Sequence, residues 1–228
     1  MMSEGFEIIK NDYVVSDEIK DIWENPVVKC IVSHIPFFSS EIEYGLGKAL
    51  EIRQKKKMEQ LFEIILEDDS VTIDDINDVD CIMEFAKTID VVKKLIRNEK
   101  VKYLARLLKN SIKDEDRDVD EFEELLNKID TLSLRELDLL HLMYEEEQRI
   151  TFQDRTNQSH FNPEESWKAF LEKAKVKYEL NDSEIISKML GIMRTGFCVS
   201  EWRTYLNARA TLVMYTAPEY HKLLERIQ

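Results

Sequence analysis

Apolar residues recur every three or four positions along most of the chain, a period that places them on one face of an α-helix. The clearest stripes are Met58, Leu61, Phe62 and Ile65; Val79, Ile82, Phe85, Ile89, Val92 and Ile96; Leu104, Leu107, Leu108 and Ile112; and Phe122, Leu125, Leu126 and Ile129. The connections are short, apart from an acidic segment, LEDDSVTIDDINDVD, that predicts a loop. This pattern predicts an antiparallel helical bundle over residues 1–131.

Helix starts are marked by side chains that satisfy the free amides of a first turn. Ser40 with Glu43, and Ser133 with Glu136, have the spacing of a capping box, so a long helix is expected to begin at each serine. Pro163 suits the first position of a further helix. Between the last two helices, QRITFQDRTNQSHFN is polar and predicts an irregular segment over 148–162.

The C-terminal part changes from helical to alternating character and back. A helix capped by Asp182 or Ser183 is expected to end at Gly196, because glycine tolerates the left-handed conformation that terminates helices. Its predicted inward residues are Ile185, Ile186, Met189 and Leu190. The runs FCVSEWRTY and ATLVMYT are rich in aromatic and β-branched residues, and LNAR separates them as a turn. A β-hairpin is therefore predicted, followed by a closing helix that begins near Pro218.

The order helix, helix, helix, hairpin, helix over residues 132–228 resembles a winged helix-turn-helix module. The fold class expected is mainly α, an N-terminal helical bundle (1–131) followed by a winged-helix-like module (132–228) with a small β-hairpin. The resemblance implies two alternative uses of the hairpin, which are contact with DNA and contact with another protein.

A second resemblance covers the whole chain. Ile35-Pro36, Ser39, the run Arg53-Gln54-Lys55 and the segment KYLARLLKNSI are similar to features of a loose class of bacterial and prophage helical proteins. That class includes the abortive-infection alpha group. The resemblance implies a phage or phage-defence setting and brings no known active site.

Net charge restricts the partners of the chain. The 228 residues carry a formal charge of −14, and 31 acidic and 19 basic side chains fall in 1–131 against 15 and 13 in 132–228. Such acidity disfavours a general binder of nucleic acids or anionic membranes. Three cysteines far apart in sequence, with no signal peptide and no bilayer-spanning segment, indicate a cytoplasmic protein.

Two groups of residues are the candidate contacts with another protein or with a second copy of the chain. The first is the densest basic run, Arg53, Lys55, Lys56 and Lys57, in the middle of a predicted helix. The second is Trp202 in the first hairpin strand, for which a core role is the other interpretation.

A DNA-binding regulator is the alternative function. It would use Lys188, Arg194, Arg203 and Arg209, which surround the hairpin with only Glu201 as a nearby acid.

The sequence predicts no catalytic, cofactor-binding or metal-binding residue. Cys30 and His34 lie one helical turn apart without further ligands, and His141 is expected in the core. The segment DEDRDVDEFEEL lacks the glycine and the final glutamate of a calcium loop. We therefore predict a non-catalytic protein-interaction or regulatory protein; an enzyme with an unfamiliar site is the third possibility.

Overall fold

The computed structural model describes residues 22–35, 48–67, 71–154, 162–203 and 210–227, without the side chains of 48–51 and 152–154. The capping box predicted at Ser40 and Glu43, the LNAR turn and Arg209 lie outside these residues. The chain divides into two compact units, 1–123 and 124–228. The domain boundary predicted between residues 131 and 132 stays a prediction.

The chain is mainly helical with one small antiparallel sheet, as predicted. Up to residue 131, the described residues form α1 (Pro26–His34), α2 (Lys48–Leu66), α3 (Ile73–Ile76), α4 (Val79–Lys94), a 3₁₀ turn (Asn98–Lys100), α5 (Val101–Lys113) and α6 (Val119–Thr131). Then follow α7 (Leu134–Asp154), α8 (Pro163–Tyr178), α9 (Asp182–Met193), β1 (Cys198–Arg203), β2 (Thr211–Thr216) and α10 (Pro218–Ile227).

The first unit is built around α2, which packs against α4 and α5. The predicted stripe from Met58 to Ile65 is buried, as are Phe85 and Ile89 of α4 and Leu104 of α5. Burying each such side chain contributes roughly 1.5–3 kcal/mol, so these three helices hold the unit together.

Two predictions for this unit are wrong. The acidic segment is not entirely a loop, because Thr72 and Asp75 form a capping box that starts the short helix α3. Val79 and Ile96 do not share the buried face of α4, since they are 71% and 78% exposed. Val79 is the first residue of α4, and Ile96 lies beyond its last residue, Lys94.

The second unit places α7 against α8, α9 and β2, while β1 lies against α9. The predicted capping box at Ser133 and Glu136 is present, with Ser133 N donating to Glu136 Oε2 at 2.7 Å. Pro163 and Pro218 begin α8 and α10 as expected. The stacked rings of Trp167 and Phe170, 5.2 Å apart, contribute to the core of this unit.

Four predictions for this unit need correction. The residue that caps the start of α9 is Asn181, whose side chain accepts from Glu184 N at 3.0 Å, and not Asp182 or Ser183. The helix α7 continues to Asp154, so the predicted irregular segment does not begin at 148. His141 is exposed and lies beside Glu145, with Nε2 3.5 Å from Oε1, instead of in the core. On α9, Ile186 is only half-buried and Leu190 is 47% exposed, because the buried stripe runs through Ile185, Met189 and Ile192 instead.

Candidate functional site

The hairpin is the candidate site, and its entry is fixed by the end of α9. Gly196 has φ +78°, the left-handed conformation predicted for it, and its N–H donates to Met193 O at 3.0 Å. Phe197 is then buried, and its carbonyl accepts from Ala217 N at 2.9 Å where the second strand ends. The backbone therefore enters and leaves the hairpin at one closed position.

The hairpin carries an apolar cross-strand pair in which one member, Trp202, is exposed and the other, Leu212, is half-buried. In the antiparallel register Trp202 lies directly opposite Leu212, whereas Cys198 is opposite Thr216 at the buried end. Trp202 is 69% exposed, so it is not in the core of the unit. Cross-strand neighbours on one face of a sheet contact one another, so the indole and the leucine form one apolar surface. We call Trp202 and Leu212 the hairpin pair.

The basic residues around the hairpin do not all present unpaired charge. The Arg203 guanidinium forms an ion pair with Glu201 on the same strand. Arg194 is exposed at the end of α9, where its Nε donates to Gly191 O at 3.5 Å. Lys188 is half-buried on the same helix. The fourth predicted DNA contact, Arg209, lies outside the described residues.

A buried carboxylate attaches the second strand to the helices. Glu147 of α7 accepts a hydrogen bond from Thr216 N at 2.7 Å and another from the Thr216 hydroxyl. Because that hydroxyl gives its proton to Glu147, it is an acceptor towards His221 Nε2, which is 3.0 Å away. The His221 ring in turn lies 5.3 Å from the Tyr144 ring. Residues of α7, β2 and α10 are thereby joined in one network.

Burial dominates the electrostatics of this network. It raises the pKa of Glu147, although both hydrogen bonds from Thr216 act in the opposite direction. Burial also raises the pKa of the Cys198 thiol to about 12, with a further contribution from the charge of Glu147. A thiol with so high a pKa is protonated at neutral pH and is a poor nucleophile.

The neighbouring glutamate behaves in the opposite way. Burial opposes ionisation of Glu146, but hydrogen bonds from Lys173 and Arg149 outweigh it and hold its pKa below the ordinary value. Arg149 Nη2 lies 2.8 Å from Glu146 Oε2. Adjacent carboxylates of α7 therefore serve different neighbours, one joining α8 by charge and the other joining β2 by hydrogen bonds.

The predicted basic contact run is corrected in part. Lys57 is only 2% exposed, and its ammonium donates to Leu95 O and lies 3.4 Å from Val92 O at the end of α4. Arg53 donates to Ile96 O from a more exposed position. Lys55 and Lys56 are exposed on α2. Lys57 therefore caps the carbonyl end of a helix in the first unit and is not a surface contact.

No protein-family model, curated protein or solved structure matches this chain. Among the residues that the structure describes, no three His, Cys, Asp or Glu side chains are grouped to hold a metal ion. None of the described helices is long and apolar enough to cross a membrane.

Three residues of the hairpin and its support were not predicted from the sequence, namely Leu212, Glu147 and Thr216. The predicted four-residue turn LNAR would pair Tyr205 with Ala210 and so set Val213 opposite Trp202, one position away from the observed partner Leu212. Glu147 lies four residues after Met143 and seven after Leu140, so it continues the buried stripe of α7. A carboxylate at such a position signals a buried acceptor that needs donors from a neighbouring element.

Proposed function

We propose that this chain is a non-catalytic protein-interaction protein, and that residues 132–228 form a winged-helix-like module whose hairpin contacts the partner. The observation that carries the proposal is the hairpin pair, in which Trp202 is 69% exposed and lies opposite the half-buried Leu212. Tryptophan is enriched among the few residues that dominate binding energy at protein interfaces. The resemblance to prophage helical proteins supports a cytoplasmic phage or phage-defence setting.

The way the hairpin is supported favours a binding surface. Glu147 anchors the base of the hairpin through Thr216, and Trp202 and Leu212 lie in paired strands that continue from that base. A preordered contact loses less conformational entropy when a partner binds. The partner would be another protein or a second copy of the chain.

Charge favours a protein partner over DNA. Arg203 is already paired with Glu201. Arg194 lies near the Glu136 carboxylate, because Arg194 Nη2 and Glu136 Oε1 are both within 4 Å of the position that a Cβ atom at Gly191 would occupy. Specific DNA binding usually rests on several phosphate contacts from cationic side chains. Paired or flanked cations contribute less to such contacts.

Trp202→Ala is expected to weaken self-association or partner binding by about 30-fold or more, because truncating an interface tryptophan often removes at least about 2 kcal/mol. Sedimentation velocity measures self-association of the purified chain. Quantitative mass spectrometry of proteins that co-purify with it from its native cells measures binding to other partners. Leu212→Ser is expected to have the same effect in a smaller degree.

Val176→Ser is the matched control, because Val176 is an exposed apolar residue on α8, 84% exposed, and outside the hairpin. It should leave association unchanged. A wild-type chain that sediments as a monomer, together with co-purifying proteins that are the same for wild type and Trp202→Ala, would contradict the proposal.

DNA binding is the rival function, and it makes a separate prediction. Gel-shift titrations at rising salt should show for the wild-type chain no more than weak affinity, with a Kd above roughly 1 μM at physiological salt. Changing Lys188, Arg194, Arg203 and Arg209 together to Gln should not alter that result. A tight complex whose affinity falls steeply with salt, and which the fourfold variant abolishes, would establish the regulator instead.

A further inference from the structure

An open cleft of about 550 Å³ lies in the second unit, and neither residue of the hairpin pair lines it. Its lining residues come from the last two turns of α6, from Leu132 and the first turn of α7, and from Gly191 of α9 with the two residues that follow that helix. It is lined by Glu124, Asn127, Lys128, Thr131, Leu132, Glu136, Gly191, Arg194 and Thr195. The volume falls within the roughly 300–1,000 Å³ of clefts that bind small molecules.

One cation of the cleft is already engaged. Lys128 Nζ lies 2.6 Å from Glu124 Oε1 and 5.3 Å from the centre of the Phe197 ring. The lysine also holds the pKa of Glu124 below its ordinary value through a hydrogen bond. This pair neutralises itself, so it selects for neither an anion nor a cation.

A second pair of opposite charges is not joined. A carbon added at Gly191 would lie 3.2 Å from Glu136 Oε1 and 3.8 Å from Arg194 Nη2, so both groups flank the same point. Across the part of the chain that the structure describes, no ion pair links the two side chains. Glu136 uses its other oxygen, Oε2, to accept from Ser133 N and from the Ser133 hydroxyl. Oε1 and the guanidinium Nη atoms remain for a ligand.

Two hydroxyls add acceptors on the same surface. Thr131 Oγ1 donates to Lys128 O at 2.9 Å, and Thr195 Oγ1 donates to Ile192 O at 2.7 Å. Thr195 Oγ1 also accepts from Phe197 N at 3.4 Å, which leaves it one lone pair. A threonine hydroxyl whose proton is used in this way presents only lone pairs to a ligand. The cleft thus combines one guanidinium that binds carboxylate with several acceptors that bind an ammonium group.

Gly191 keeps the two charged groups accessible. It lies inside α9, where glycine costs roughly 0.5–1 kcal/mol relative to alanine. Any side chain there would enter the space between Glu136 Oε1 and Arg194 Nη2. The absence of a side chain therefore leaves room for a small group between them.

We propose that this cleft binds a free α-amino acid. The ligand carboxylate pairs with the Arg194 guanidinium, while its ammonium group donates to Glu136 Oε1 and to the threonine oxygens. A phosphate or another simple anion is disfavoured because Glu136 would repel it. A simple cation is disfavoured by Arg194 in the same way. The site is independent of the hairpin contact.

The test is a titration of the ¹⁵N-labelled full chain with each of the common amino acids to about 20 mM, followed by two-dimensional NMR. At least one amino acid should shift the amide signals of Thr131, Gly191, Arg194 and Thr195, with a Kd below about 1 mM. Its N-acetyl derivative lacks the ammonium group and its amide lacks the carboxylate. Both should bind about tenfold more weakly or not at all.

Variants locate the site. Glu136→Gln, Arg194→Met and Gly191→Ala should each weaken binding about tenfold or more, the last by occupying the space while favouring the helix. Arg135→Met and Glu145→Gln are matched controls, because both residues are exposed and outside the cleft. They should leave the Kd unchanged.

Three results would overturn the proposal. The first is a wild-type spectrum that no amino acid alters at about 20 mM. The second is equal binding of the blocked derivatives, which would remove the zwitterion as the recognised feature. The third is that the amide signals that shift in the wild-type chain belong to residues outside the cleft. This result does not depend on whether the variants fold.

Discussion

The Glu147→Ala variant is expected to lose about 3 kcal/mol of unfolding free energy, because it leaves two buried donors without an acceptor. Those donors are Thr216 N and the Thr216 hydroxyl. The change also leaves a cavity against β2. Urea denaturation followed by circular dichroism measures the loss.

Glu147→Gln is the matched variant, because its amide oxygen can still accept from Thr216 N and its amide nitrogen can donate to the Thr216 hydroxyl. Its loss should be under about 1 kcal/mol at neutral pH. A loss as large as that of Glu147→Ala would show that the charge itself, rather than the shape and the hydrogen bonds, stabilises the unit.

The difference in stability between wild type and Glu147→Gln is also expected to depend on pH, with a defined sign. The folded pKa of Glu147 is raised, so the folded chain holds this proton more tightly than the unfolded chain does. Its contribution to stability is therefore fully present below the unfolded pKa of about 4.3 and is lost as pH rises through the folded pKa. The stability difference between wild type and Glu147→Gln should decrease from pH 4 upward by this mechanism, and a difference that increases with pH would contradict it.

Lys57→Met is expected to cost about 2 kcal/mol, because the carbonyls of Val92 and Leu95 lose the donor that caps the end of α4. Methionine keeps most of the aliphatic stem, so the loss reports the ammonium group rather than a cavity. Burial lowers the pKa of Lys57, with a smaller contribution from Arg53, yet the surrounding carbonyl oxygens favour the charged form. Thermal and urea denaturation measure the effect.

Lys56→Met is the control for this prediction, since Lys56 is the exposed neighbour on the same helix. It should change stability by less than about 0.5 kcal/mol. Equal effects of the two substitutions would mean that Lys57 does not cap α4. In that case, hydrogen exchange would show equal protection of the last turn of α4 in Lys57→Met and in the wild type.

Helix positions and the hairpin were predictable because each has a local cause. The apolar period predicted α5 and α6, Ser133 predicted the start of α7, and Gly196 predicted the end of the α9 segment. The start of α3 was also visible in the spacing of Thr72 and Asp75, but the many acids around it indicated a loop. A capping box is therefore easily overlooked in a segment whose many acidic residues suggest a loop.

Burial of individual residues was harder to predict because it depends on neighbours distant in sequence. Lys57 lies on the same side of α2 as the buried Leu61, one turn away, but its charge predicted a solvent-exposed position. Its partners are carbonyls at residues 92–95. The cleft is a stronger case, because Glu136, Gly191 and Arg194 come together only when α7 and α9 pack. The spacing of residues within a single helix cannot predict that these three residues lie close together.

The three tryptophans differ in their surroundings, and this gives the chain a built-in optical reporter. Trp167 is buried, Trp23 is half-buried, and Trp202 is mostly in water. A water-soluble quencher such as iodide therefore reaches the hairpin indole first, while the other two continue to fluoresce. Shielding of that indole can be followed by emission alone, without attaching a dye near the surface being tested.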